Sequence, residues 1–197
     1  MNLKTALLPL LIFLSACGKK TDAPGEGPVK TAAAAVEFID YIPPAGTFSC
    51  RAPAHWKGEE TTDYGPDEVT FLGSVPSKGL SMDKQPSAVN ISISKYPNKS
   101  DKYVDAEVYA KSLSMLDGKP TVYEKNIVAG RTIIRYSRQR PAHALHSNKT
   151  LYQIREDVAL IVVSGGFFAI SHSAPIDAYQ STLPVFEEVV RSFKPKS

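Results

Sequence analysis

The chain of 197 residues has two cysteines, Cys17 and Cys50. That count excludes zinc sites built from paired cysteines. Long apolar runs are lacking too. The run from Ala6 to Leu14 is about half of the roughly 20 residues that a membrane-spanning helix needs. Nor is there an excess of one charge: 23 Lys and Arg face 20 Asp and Glu, a net +3. Binding to a phosphate backbone needs a concentrated basic face, so nucleic acid is not an expected partner. There is no GxSxG elbow, and the one glycine-rich stretch, "GEGP", lacks the strand and helix that a phosphate-binding loop requires.

What is present begins with a distinct leader. Residues 1–16 carry one charge, Lys4, then the apolar run, then the small residues Ser15 and Ala16. This is the pattern of a secretion signal. The stretch "LIFLSAC" ends the run at Cys17, and its "LSAC" resembles the lipobox of bacterial lipoproteins. In that motif the cysteine thiol receives a diacylglyceryl group and the signal is cut before it. Small side chains before the cysteine let the backbone enter the peptidase, and a thiolate is the strongest nucleophile available for the thioether. The resemblance implies lipidation at Cys17, with palmitate-like chains holding the protein to a bacterial membrane on its periplasmic or exterior side. Two or three chains at ~0.8 kcal/mol per buried methylene make a stable anchor. Gly18 stands where an aspartate would retain a lipoprotein at the inner membrane, so the outer membrane is the expected location. Without Lys4 the mature chain has 22 basic and 20 acidic residues. With Cys17 acylated no internal disulfide can form, and Cys50, in the alternating stretch between Phe48 and Arg51, reads as a small buried hydrophobe.

Residues 17–40 read as lipidated cysteine and tether. The stretch "GKKTDAPGEGPVKTAAAA" holds no large apolar side chain except Val29, so it cannot bury a core. It spans roughly 20 to 25 Å as a coil. A short helix from Ala32 to Ile39 would be ended by Pro43 and Pro44. Residues 41–197 then form one globular domain.

Within it, Val89, Ile91 and Ile93 alternate with Asn90, Ser92 and Ser94, the period of a strand with one buried face. Further strands are expected at "GTFSCRA", "DEVTFLG", "TVYEKNIV", "RTIIRYSRQ", "KTLYQIRE", "ALIVVS" and "FFAISHS". Ala129-Gly130, Glu156-Asp157 and Gly165-Gly166 are the expected hairpin turns between them, which makes the sheet antiparallel. One helix is expected where Ala106, Tyr109, Leu113 and Leu116 recur, capped by Ser100 or Asp101 and closed by Gly118. Another is expected from the stripe Ile176, Tyr179, Leu183, Phe186, Val190 and Phe193, kinked or split at Pro184.

The opening "GTFSCRAPAHW", with Phe48, Pro53 and Trp56, resembles that of the PsbP-like superfamily, the fold of the photosystem II extrinsic subunit P and of many bacterial lipoproteins. So do Gly130 in the central hairpin and the close "GFFAISHSAP", Tyr179 and "PVFEEVVRSFK". The resemblance implies an α+β fold, an α/β/α-type sandwich with a central antiparallel sheet of about 6–8 strands and two main helices. None of the matching residues is a catalytic motif, and for function the resemblance implies only that relatives are mostly binding or assembly factors.

The titratable residues offer little chemistry. His143 and His146 are three apart in "RPAHALHSNK", but no carboxylate or third histidine is near enough in sequence to complete a metal site. Ser171 or Ser164, His172 and Asp157 can be assembled as a triad only on paper. The remaining feature is a group of arginines: Arg131, Arg135, Arg138, Arg140 and Arg155. Strand parity puts Arg131 and Arg135 on one face and Arg138 and Arg140 on the other. They read as solvated, edge-protecting charge, or as a patch for an anion or acidic partner. The expectation is a monomeric, non-catalytic binding or assembly module with no cofactor and no metal. It is held to the membrane through lipid at Cys17 and faces a protein partner in the cell envelope. The alternatives are a chaperone-like accessory factor for a secreted protein, docking through Arg131 to His146, and a hydrolase using His172 or the His143/His146 pair.

Overall fold

The computed structural model describes residues 36–61, 68–73, 89–97, 105–115, 123–128, 130–143 and 150–196. All belong to the compact unit Ala34–Ser197. The leader, Cys17, most of the tether and His146 lie outside the described residues, as do Ser100, Asp101 and Gly118.

Seven strands form one sheet in which every neighbouring pair is antiparallel. In chain order they are β3 (Lys57–Thr61), β4 (Glu68–Gly73), β5 (Val89–Pro97), β6 (Tyr123–Val128), β7 (Arg131–His143), β8 (Thr150–Val163) and β9 (Gly166–Pro175). Their spatial order is β3-β4-β5-β9-β8-β7-β6. A second, three-stranded sheet pairs β2 (Phe48–Pro53) with β1 (Phe38–Tyr41) and with β10 (Lys194–Pro195). The helices are α1 (Ala106–Met115) and α2 (Ile176–Ser192). This is an α+β sandwich with a strand count inside the expected range.

The period-two pattern explains the layers. On one face of the large sheet Val69, Phe71, Ile91, Ile93, Ala159, Ile161, Phe168 and Ile170 pack with Phe48, Cys50 and Ala52 of β2 and with Val185, Phe186, Val189, Val190 and Phe193. On the other face Ile134, Tyr136, Val158, Leu160, Phe167 and Ala169 pack with Ala106 and Ala110 of α1. Each large side chain so buried contributes about 1.5–3 kcal/mol. The polar face of β5 is bonded within the sheet: Ser92 to Ser171 at 2.7 Å, and Ser94 donating to Glu68 at 3.0 Å.

Several sequence expectations are corrected. Folded chain begins before Tyr41, because Phe38–Tyr41 pairs with Cys50–Pro53 as a strand, in place of a helix reaching Ile39. "KTLYQIRE" and "ALIVVS" are one strand, β8: Glu156 and Asp157 pair on both sides and make no turn. Neither residue supplies the positive φ of a tight hairpin, whereas Gly130 (φ 75°) and Gly165 (φ 88°) do. The cap of α1 is Asp105, whose Oδ1 accepts from the Val108 N–H at 2.8 Å. Pro184 lies inside an unbroken α2. The burial of seven α2 residues against the sheet and β2 outweighs the lost backbone bond. The buried face of α2 also turns toward Ala178, Thr182, Val185 and Val189, leaving Ile176 exposed.

Candidate binding groove

Helix α2 packs on β9, β8, β5 and β2. Beyond it the sheet continues into β7 and β6, and a groove of about 730 Å³ opens between the helix and these outer strands. Its apolar lining comes from Ile133, Ile161 and Val128 on the strands and from Leu183, Pro184, Val190 and Phe193 at the helical side. A volume of this size is typical of a ligand cleft. The local reason is alternation along β7: Arg131, Ile133 and Arg135 share the α2 face, while Ile134 and Tyr136 face α1.

Charge at the groove is paired in a definite way. Arg135 makes a two-pronged contact with Glu187, Nη1 to Oε1 at 2.7 Å and Nη2 to Oε2 at 3.0 Å. Glu188 is held by Arg51 at 2.9 Å and by Arg191. Both carboxylates are thereby occupied. Arg131 lines the same groove, is exposed, and forms no ion pair among the described residues. It is the uncompensated charge of the site.

The other arginines do different work. Arg155 lies on the α2 face but stacks over the Tyr179 ring, 4.4 Å from its centroid. Arg138 and Arg140 lie on the α1 face and converge on Glu156 at 2.5 and 2.8 Å. The five do not form one basic surface, and the anion-binding expectation narrows to Arg131.

His172 is fully buried beneath α2, between the rings of Tyr179 and Phe186. Its Nε2 lies 3.0 Å from Thr182 Oγ1, and its Nδ1 has no partner among the described residues. Burial lowers its pKa to about 4, against the opposing pull of Asp157, which sits directly across the β8–β9 pair. Tyr179, hydrogen-bonded to Asp157, is pushed up to about 12, chiefly by burial. Of the paper triad, then, Asp157 and His172 come together. Ser171 is bonded to Ser92 on the other face of the sheet, and Ser164 lies in the turn after β8. Neither serine meets this histidine; the hydroxyl beside it is that of Thr182, buried with it and bonded to the α2 backbone, and solvent does not reach His172. His143 ends β7, and His146 lies outside the described residues. Among the described residues no three His, Cys, Asp or Glu side chains gather as a metal site, and no helix is long and apolar enough to cross a membrane. Cys50 is buried, and its thiol is pushed up to about 12 by that burial.

The depth of the groove is not encoded by any local pattern, since it depends on where α2 stops across the sheet. The groove's signal was partial: the Arg131, Ile133, Arg135 alternation marks a mixed face on an outer strand. Glu187, 52 residues from Arg135, gave no sign of pairing with it.

The large antiparallel sheet carries α2 and the small sheet on one face and α1 on the other, and chains of known structure are similar to this one. One is the Saccharomyces cerevisiae Ran-binding protein Mog1p, with a TM-score of 0.52, 15% identity, and coverage of 81% of this chain and 96% of that one. Another is the cyanobacterial PsbP (CyanoP) of Synechocystis, with a TM-score of 0.47, 15% identity, and coverage of 86% of this chain and 100% of that one. No protein-family model matches the chain, and no curated protein sequence does. At this identity the likeness to Mog1p is one of fold.

Proposed function

We propose that this protein is a lipid-anchored component of a bacterial cell envelope whose domain works without catalysis, as a binding or assembly module, and that the groove beside α2 is its binding site. The observation that carries the reading is the groove's make-up: apolar walls with one guanidinium, Arg131, that is exposed and has no ion pair among the described residues. Such a site gives affinity through burial and selectivity through charge. The lipobox-like "LSAC" supports attachment through Cys17, facing the periplasm or exterior. The burial of His172 supports a non-catalytic role, because a general base must reach its substrate. Mog1p, which is similar in fold, is a Ran-binding protein.

The test is complementation in the cells that make the protein, with variants compared at equal abundance. Cys17→Ser moves the protein from the membrane to the soluble fraction. Arg131→Glu combined with Leu183→Lys abolishes its biological role, and His172→Gln keeps it. The opposite pattern, with the groove pair silent and His172→Gln inactive, overturns the reading in favour of an enzyme.

A further inference from the structure

Among the described residues the sheet order ends at β6, which pairs there on one side only, with β7. The connection 129–130 is two residues long, with Gly130 at φ 75°, and such a hairpin closes on a hydrogen-bonded pair, here Val128 and Arg131. Antiparallel pairs alternate, so Glu124 and Asn126 bond inward to Arg135 and Ile133, while Lys125 and Ile127 turn their N–H and C=O groups outward. The strand has no proline and no register shift against β7, and Ile127 is 78% and Val128 54% exposed. Edges of soluble sheets are normally blunted by charge, proline or a bulge. The opposite edge, β3, follows that rule with Lys57, Glu59 and Glu60 all exposed. On β6 the one lysine is drawn away to Glu107 of α1 at 2.5 Å, and the exposed Glu124 lies across from Arg135, at the other end of the strand from Ile127 and Val128.

The α2 face of this edge opens onto the groove. Asn126 and Val128 line it, and Arg131 stands across the pair from Val128. We propose that β6 is a docking edge for an extended segment of a partner protein. The segment adds a strand along Lys125 and Ile127, sets an acidic side chain toward Arg131, and seats an apolar side chain of the same strand face in the groove. Main-chain bonds supply the affinity of this kind of recognition and alternate side chains supply its selectivity. Arg131 selects the acidic residue because the other charges of the groove are already paired. The added strand lies two strand spacings from β7, about 9.6 Å, a gap that the Arg131 side chain and an acidic side chain reaching toward each other over Val128 can span. The inference rests on the groove being the binding site.

The experiment uses the full-length chain and three end-blocked heptapeptides: Ser-Val-Ser-Asp-Ser-Val-Ser (Val/Asp), which sets Val and Asp on one strand face, the same peptide with Lys in place of Asp (Val/Lys), and the Val/Asp peptide with proline at its third and fifth positions. The Val/Asp peptide binds and slows hydrogen exchange at the Lys125 and Ile127 amides at least tenfold, and the proline peptide does neither. Ile127→Pro removes an outward N–H without breaking a bond to β7. It keeps the thermal unfolding midpoint near that of the parent and weakens Val/Asp binding at least tenfold. Arg131→Glu reverses the preference toward the Val/Lys peptide. Binding by none of the peptides, or binding indifferent to Ile127→Pro, overturns strand addition. In cells, loss of the biological role with Arg131→Glu but not with Ile127→Pro sinks this inference alone, and silence of both sinks the groove reading with it.

Discussion

At the scale of single residues, burial decides chemistry. His172 titrates near 4 in the folded protein, against an ordinary value of 6.5, because charging it beneath α2 costs solvation that Asp157 only partly offsets. The folded state therefore binds fewer protons than the unfolded state between about pH 6.5 and 4. Stability from this group is complete above the unfolded value and is lost as pH falls toward 4, by up to about 3 kcal/mol. His172→Gln is expected to flatten the fall of unfolding free energy with acidity over that window, as measured by urea titration at a series of pH values. An unchanged slope would refute the assignment. Cys50 makes a second residue-scale case. With its thiol buried and its pKa raised, it is expected to react with a thiol reagent far more slowly in native protein than in denaturant. Rapid labelling under native conditions would show that β2 is not packed against α2.

Helix α2 carries the argument at the scale of elements. Asp177 in its first turn and Arg191 in its last agree with the helix dipole, and its buried residues cover the centre of the sheet. Pro184 breaks one backbone bond inside it and lines the groove. Pro184→Ala is expected to stabilise the fold by roughly 1–3 kcal/mol in denaturant unfolding, since an internal proline costs about 3 kcal/mol relative to alanine. A destabilised variant would mean that the ring's packing outweighs the restored bond. The Arg135–Glu187 pair is only partly shielded, so a double-mutant cycle to alanine is expected to return a coupling of about 0.5–1 kcal/mol. Elements with strong periodicity were legible in the sequence: the alternation of Val89 to Ile93, the stripe of α2, the hairpin at Gly130. What was not legible lacked that signal. The charged strand β3 has no apolar alternation to read, the pairs of β1 and β10 with β2 are set by tertiary contact, and β8 runs through Glu156 and Asp157 because both its neighbours continue past them. The groove needed the lateral position of α2, which no local pattern encodes. Arg131, by contrast, was visible as a candidate before its isolation from carboxylates was.

At the scale of the whole molecule, the domain is closed by its first and last strands, β1 and β10, both laid on β2. A fragment beginning at Val36 is expected to unfold cooperatively, whereas one beginning at Ile42 loses β1 and the contacts of Phe38 and Tyr41 with the core. Its thermal midpoint is expected to fall by several degrees, and equal midpoints would make β1 an ornament of the fold. The central claim is that the domain acts by holding a partner against the groove and the β6 edge. The most direct measurement is site-specific photocrosslinking of the full-length protein in its own cells, with the probe at Val128 on the groove and, as a control, at Glu59 on β3. The account predicts one protein adduct from position 128 that is lost when Arg131→Glu is added, and none from position 59. Adducts that are absent at 128, equal at both positions, or indifferent to Arg131→Glu would contradict it.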